Sequence, residues 1–196
     1  MSKMNSFSFI EDAYRESVEW AQSLLQLPTN QLVILDTETT GLTSTDQVLQ
    51  IGVIDGAGNV MINNQLIRPT CEISPEAQAV HGISMEMVQN APTLDEFTPT
   101  LREVFRDKRK IVIYNANFDI RLIAQSLNIK QQILIDQFFG IAPICAMLRY
   151  AEYVGEFNQH HGNFRWQRLP NGAHDAVGDC MATLNLIQRM ARNGLE

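Results

Sequence analysis

Apolar residues recur at three- and four-residue steps near the start of the chain: Phe7, Ile10, Ala13, Tyr14, Val18, Ala21, Leu24 and Leu25. That spacing predicts an amphipathic helix over Ser6 to Gln26, ended by Pro28. Residues 1–30 are therefore expected to form an N-terminal helix packed on a domain spanning 31–196. From Gln31 to Leu35 the apolar positions run together, as in a strand buried on both faces, and this strand delivers Asp36 and Glu38 to its end. Gln47 to Asp55 and Asn59 to Arg68 are two more extended runs, joined as a hairpin by the turn Asp55-Gly56-Ala57-Gly58-Asn59. Ser74 caps a short helix that opens on Pro75 and runs towards His81-Gly82, and Ser84 caps another through Gln89. A further helix starts at Thr93 or Asp95 and ends near Phe105, with Pro99 in its first turn. Ile111 to Tyr114 reads as a strand, Asn117 to Leu127 as a helix, Gln131 to Ile135 as a short strand and Ile144 to Val154 as a helix. Glu156 to Asn171 reads as a polar, glycine-containing loop. Asp175 to Met190 is helical, with Val177, Met181, Leu184 and Ile187 in one stripe. A hairpin followed by strand–helix alternation predicts an α/β fold, a mixed sheet flanked by helices.

Length and composition narrow the class. With 196 residues, 45% apolar and 19% charged, the chain suits one well-cored domain. The longest apolar candidate, Gln131 to Leu148, is broken by Asp136 and Pro143, so no membrane span is expected. Glu11, Asp12 and Arg15 stand where a signal peptide needs an apolar core. Cys71, Cys145 and Cys180 are odd in number and lack metal-ligand spacing, which reads as reduced core thiols in a cytoplasmic protein. The net charge of -7 argues against gripping long duplexes by their phosphates. Nucleic acid would be held locally, by a small basic rim and bound metal. The basic cluster Arg106 to Lys110 reads as a solvated loop.

The candidate chemistry lies in carboxylates. Alternation along a strand puts Asp36 and Glu38 on one face, where two like charges need a cation, a shared proton or open water. Asp119 falls in the opening turn of a helix, and it either complements the helix dipole or binds metal. Asn115 stands where it could hold a neighbouring carboxylate by a side-chain hydrogen bond. Asp175 is a credible N-cap that leaves His174 just before the last helix and Asp179 in its first turns, on a face with Ala176 and Thr183. Phe164, Arg165, Trp166, Gln167 and Arg168 interleave aromatic rings with cations, which suits base stacking and phosphate contact. A loop pinned by a buried Trp166 fits the same residues equally well.

Three motifs in order, Asp36-Thr37-Glu38-Thr39-Thr40-Gly41-Leu42, Asn115-Ala116-Asn117-Phe118-Asp119 and His174-x-Ala176-x-x-Asp179, resemble those of the DEDDh 3′–5′ exonucleases. These are relatives of the proofreading subunit of bacterial DNA polymerase III and of RNase T. His81-Gly82-Ile83-Ser84 is similar to the family's short His-Gly-Ile segment, and the resemblance covers about Leu32 to Met190. It implies a ribonuclease H-like fold, a five-stranded mixed sheet with its second strand antiparallel. It implies that Asp36, Glu38, Asp119 and Asp179 hold two divalent cations, Mg²⁺ or Mn²⁺, about 3.5 to 4 Å apart, which clamp the attacking and leaving oxygens. His174 is implied as the general base, and Asp175 stands where the Tyr subclass would place its tyrosine. Thr39, Thr40, Gly41, Leu42, His81, Asn115 and Phe118 are implied around the terminal nucleotide, with Leu42 wedging between the last two bases.

The expected partner is a nucleic acid 3′ end, single-stranded DNA first and RNA second, since the motifs do not encode contacts to the 2′ position. An end-binding subunit associated with a polymerase is the alternative outside catalysis, and a homodimer stays open. All five catalytic positions are filled, and the chain ends six residues after Met190, both of which favour a free-standing enzyme.

Overall fold

The computed structural model describes residues 3–105 and 109–192, with side chains described from Ser8 onward. Arg106, Asp107 and Lys108 of the basic cluster therefore lie outside the described residues. Five strands form the sheet: β1 (Leu32–Thr39), β2 (Val48–Asp55), β3 (Val60–Leu66), β4 (Lys110–Ile113) and β5 (Ile144–Cys145), in the order β3-β2-β1-β4-β5. β2 runs antiparallel to both β1 and β3, whereas β4 and β5 run parallel to β1. This is the mixed sheet that the motif resemblance implies.

The alternation of β1 decides which layer each side chain meets. Val33 and Leu35 pack with Ile51, Val53, Ile111 and Ile113 against α4 (Leu94–Phe105) and α5 (Ala116–Ser126). Leu32 and Ile34 point the other way, into a core shared with α1 (Lys3–Leu25), α7 (Ala146–Val154) and α8 (Ala176–Ala191). Asp36 and Glu38 continue the second set, so they face α8. Burying both faces of a central strand accounts for its near-continuous apolar sequence.

Two short helices lie between β3 and α4. α2 (Pro75–His81) is capped by the Ser74 hydroxyl, and α3 (Met85–Val88) by that of Ser84. Thr93 starts α4 in a reciprocal cap: its amide donates to the Glu96 carboxylate and its hydroxyl accepts from the Glu96 amide. Two elements correct the sequence-based expectation. Gln131–Leu134 is helical (α6) and runs into a π-helical turn, Ile135–Phe139, whose Phe138 and Phe139 enter the core. A short apolar run has no length with which to declare its period, and this one buries as a helix would. The fifth strand is the pair Ile144–Cys145, the front of the stretch expected to be helical throughout. The loop after α7 also holds a small hairpin, β6 (Phe157–Asn158) with β7 (Asn163–Phe164). Of the cysteines only Cys180 is buried, its thiol directed at the carbonyls of Ile34 and Gly52; Cys71 and Cys145 are half-buried.

Candidate active site

The start of α8 is brought onto the sheet by a glycine and three polar side chains. Gly52 pairs with Asp36 across β1–β2, and a Cβ there would lie 2.5 Å from the Ala176 carbonyl carbon. Only glycine lets the helix terminus come so near. A helix end docked this closely leaves amide donors that water cannot serve. Gln50 accepts from the Ala176 amide at 2.9 Å, Asn64 from Val177 at 2.7 Å, and Asp175 from Gly178 at 3.0 Å. The Asn64 amide group also donates to Asp175 at 2.7 Å, which ties the hairpin to the cap.

This docking sets Asp179 opposite Asp36 and Glu38. Ligand oxygens from these three carboxylates all lie within 4.8 Å of one another. Burial, and then the charges of Asp119, Asp179, Glu38 and Asp175, raise the Asp36 carboxyl well above its ordinary range. Burial followed by Asp179 and Asp119 brings Glu38 to about 7. Asp119 approaches from the other layer, on α5, and accepts a hydrogen bond from the Thr37 hydroxyl at 2.7 Å. Burial raises it to about 7 against the opposing pull of the Thr37 hydroxyl and of backbone amides. Asn115 caps α5 without a side-chain cap bond, and Thr37 makes the contact to the carboxylate expected of it.

His174 lies in the left-handed region, with φ of +59°, and is exposed just ahead of the helix. Its amide and that of Ala173 both donate to Asp179, at 3.3 and 2.6 Å, and so the turn is fixed by the carboxylate it adjoins. Asp36, Glu38, Asp119, His174 and Asp179 line one open cavity of about 570 Å³, together with Asn115, Phe118 and Arg168. A second cavity of about 460 Å³ adjoins it, sharing Thr37, Glu38 and Phe118, and is lined by Thr39, Gly41, Leu42, Val80 and His81. Leu42 stands 77% exposed at its rim. Three residues of the expected set, Thr40, Arg165 and Trp166, line neither cavity. Thr40 is fully buried and donates to Asp46, and Arg165 lies 3.8 Å from Glu156. Trp166 is 63% exposed, which removes the reading of a loop pinned by a buried indole. His81 spends both ring nitrogens on backbone, accepting from Ile83 and meeting the Thr39 carbonyl.

A family model described as exonuclease, RNase_T, matches residues 33–187. The chain belongs to this exonuclease family. The chain is 37% identical over 175 residues to the uncharacterized exonuclease CP81 of Escherichia phage 186, covering 83% of this chain and 89% of the phage protein. It is 31% identical over 183 residues to the DNA polymerase III subunit epsilon-like protein of Rhodobacter capsulatus, covering 86% of this chain but 25% of that protein. Among solved structures it superposes on exonuclease X in complex with 5′ overhanging duplex DNA, with a TM-score of 0.53, 27% identity, and coverage of 84% and 94% of the two chains. E. coli exonuclease I with a dT13 oligonucleotide gives a TM-score of 0.63 at 17% identity, over 83% of this chain and 41% of that one, a likeness of fold. The fold is thus ribonuclease H-like.

Several residues that shape the site carry no clear signal in the sequence: Thr37, Gln50, Asn64 and Arg121. Arg121 donates to the Leu42 and Thr43 carbonyls at 3.2 and 3.0 Å, with its guanidinium 5.3 Å from the centre of the Phe118 ring. Asp46 accepts from Thr40 and Thr43 across the same loop; burial would raise its carboxyl, but these bonds hold it below the ordinary range. A Thr between two strand carboxylates and an Arg two residues after Asp119 were the only local signals, and neither reveals its partner.

Proposed function

We propose that this chain is a divalent-metal-dependent 3′–5′ exonuclease of the DEDDh type that releases nucleoside 5′-monophosphates from single-stranded DNA ends. The observation that carries the proposal is the convergence of Asp36, Glu38 and Asp179, with Asp119 and His174 on the same cavity. An all-carboxylate donor set suits hard cations, and burial that pushes Asp36, Glu38 and Asp119 upward marks a place where positive charge would be stabilising. Asp36, Glu38, Asp119 and Asp179 would hold two Mg²⁺ or Mn²⁺ ions. Such ions supply Lewis acidity for an in-line phosphoryl displacement.

The remaining steps belong to side chains. His174 takes the proton from the attacking water as its oxygen bonds to phosphorus. The bond from phosphorus to the 3′ oxygen of the preceding nucleotide breaks, and that oxygen takes a proton from solvent water, leaving a 5′-monophosphate and a new 3′-hydroxyl. Thr37 keeps Asp119 aimed at the cavity. Leu42 is held on its loop by Arg121 and wedges between the last two bases. Unstacking costs a few kcal/mol per step, so single-stranded or frayed ends are taken first. The names of the relatives, a DNA polymerase III epsilon-like protein and exonuclease X with DNA, support DNA over RNA.

The test is digestion of 5′-labelled single- and double-stranded DNA and RNA in Mg²⁺, Mn²⁺ or EDTA. Single-nucleotide ladders from the 3′ end are expected with metal, strongest on single-stranded DNA, and none in EDTA. Asp36→Ala should abolish them, and His174→Ala should slow turnover about 10²- to 10⁴-fold. Cutting of a closed single-stranded circle, or a ladder that persists in EDTA, would overturn the reading.

A further inference from the structure

The segment Arg165 to Arg168 leaves the β6–β7 hairpin and runs to the edge of the active cavity, and it is fastened at both ends. At its start the Arg165 amide donates to the Glu156 carbonyl at 2.8 Å. Near its end the Tyr114 hydroxyl, at the close of β4 and on the cavity wall, donates to the Gln167 carbonyl at 2.9 Å. Trp166 lies between these two anchors, its ring mostly in solvent, while Arg168 lines the cavity itself. A large aromatic side chain carried on an anchored backbone spares a binding base the cost of ordering the segment itself.

The hairpin is held in turn by α1, which lies outside the residues matched by the family model. Phe9 stacks on Phe164 with ring centres 5.6 Å apart and meets the edge of Phe157 at 5.4 Å; Phe157 and Phe164 are 5.3 Å apart. Behind this trio, Gly155 ends α7 at φ of +76°, where a Cβ would lie 3.3 Å from the Ile10 methyl group. Tyr14 stacks on Tyr153 at 5.1 Å, joining α1 to α7. Aromatic pairs of this kind add about 0.5 to 1.5 kcal/mol each beyond their buried area.

The two cavities give a direction. A terminal nucleotide in the cavity beside Leu42 and His81 puts its phosphate at the carboxylates, and the strand preceding it must leave by another side. The Arg168 side of the carboxylate cavity offers a guanidinium, and the anchored segment that carries Arg168 carries the exposed Trp166 two residues earlier. We propose that Trp166 is a stacking platform for a base of the strand 5′ of the scissile bond, and that Phe9 is the positioning residue that holds this platform through the hairpin. The proposal rests on the exonuclease reading above.

Two substrates separate the ideas: an oligothymidylate of about twelve nucleotides, which extends past the cavity, and the p-nitrophenyl ester of thymidine 5′-monophosphate, which has no upstream strand. Trp166→Ala should raise KM for the oligonucleotide about 5- to 100-fold more than KM for the ester. Trp166→Phe should recover most of that loss. Phe9→Ala should move the same ratio in the same direction, and Phe9→Tyr should restore it. An equal change on both substrates, or none, overturns the platform whatever happens to melting temperature. Anisotropy of the labelled oligonucleotide in Ca²⁺ reads the platform apart from catalysis. If the wild type cleaves neither substrate while Trp166→Ala still weakens binding, the exonuclease reading fails and the platform stands; unweakened binding ends the platform.

Discussion

At the scale of single residues, the cluster of Asp36, Glu38, Asp119 and Asp179 costs stability in the metal-free protein, because like charges are gathered in a partly buried site, with Asp119 itself buried. Glu38 rises from 4.5 to about 7 and Asp119 from 3.8 to about 7, chiefly through burial, so the folded state binds their protons more tightly than the unfolded chain does. For a raised carboxyl the unfavourable contribution is absent at pH values below the unfolded range near 4. It grows as pH climbs towards about 7, and is complete above that. In EDTA the protein should therefore melt at a lower temperature near pH 8 than near pH 5.5. Asp36→Asn, which keeps the shape and removes a charge, should stabilise the metal-free protein near pH 8 by about 1 to 3 kcal/mol, or several degrees in Tm. That gain should shrink towards pH 5. Mg²⁺ should raise the wild-type Tm near pH 8 and leave Asp36→Asn much less affected. Thermal melts of both proteins across this range check the account, and a wild-type Tm that climbs steadily from pH 5.5 to 8 in EDTA contradicts it.

At the scale of elements, the position of α8 decides whether the acids meet, and that position depends on side chains from a hairpin more than a hundred residues earlier. Asn64 holds φ of +46°, a conformation glycine tolerates, so Asn64→Gly removes the amide without adding strain. The variant loses the bonds to Val177 and Asp175 and should cost about 1 to 2 kcal/mol in urea denaturation. Because His174 and Asp179 ride on that helix start, kcat should fall more than KM rises. A variant of wild-type kcat would show that α8 is held well enough by Gln50, Asp175 and the Gly52 contact alone. The elements themselves were largely legible. β1 showed its two-sided burial in an unbroken apolar run, the β2–β3 hairpin showed its turn, and α8 showed a cap and a stripe. What was illegible has two physical sources. Gln131–Leu134 and Ile144–Cys145 are too short for a period to distinguish helix from strand. The bonds from Gln50, Asn64, Thr37 and Tyr114 join residues distant in sequence, so no local pattern carries them. The carboxylates carry a charge pattern that is visible along the chain, whereas a threonine, glutamine or asparagine gives no sign of the distant residue it bonds.

At the scale of the whole molecule, a chain of net charge -7 cannot attract a polyanion by its overall field. Substrate affinity must come from the cavities, with few phosphates neutralised by protein side chains, and the salt dependence should be correspondingly shallow. For a single strand, log affinity falls with log salt at a slope of about -0.7 per neutralised phosphate. One or two such contacts predict a slope between about -0.7 and -1.4 over roughly 50 to 200 mM salt. The arginines near the cavity are not equivalent. Arg168 lines the cavity, Arg165 lies near the Glu156 carboxylate, and Arg121 is engaged by loop carbonyls. Arg168→Ala should therefore reduce the slope by about 0.7, while Arg165→Ala should leave it nearly intact because that guanidinium already faces an acid. Arg121→Ala should act differently again. It frees the loop that carries Leu42, so it should slow digestion of blunt duplex, where the end must be wedged open, more than digestion of single strands, with little change in slope. Titrating a labelled single strand in Ca²⁺ at several salt concentrations, beside rates on blunt and single-stranded DNA, measures all three variants together. Equal slopes for Arg168→Ala and the wild type would mean that the phosphates are met by metal and backbone alone, and that the cationic exit from the cavity is not on the path of the strand.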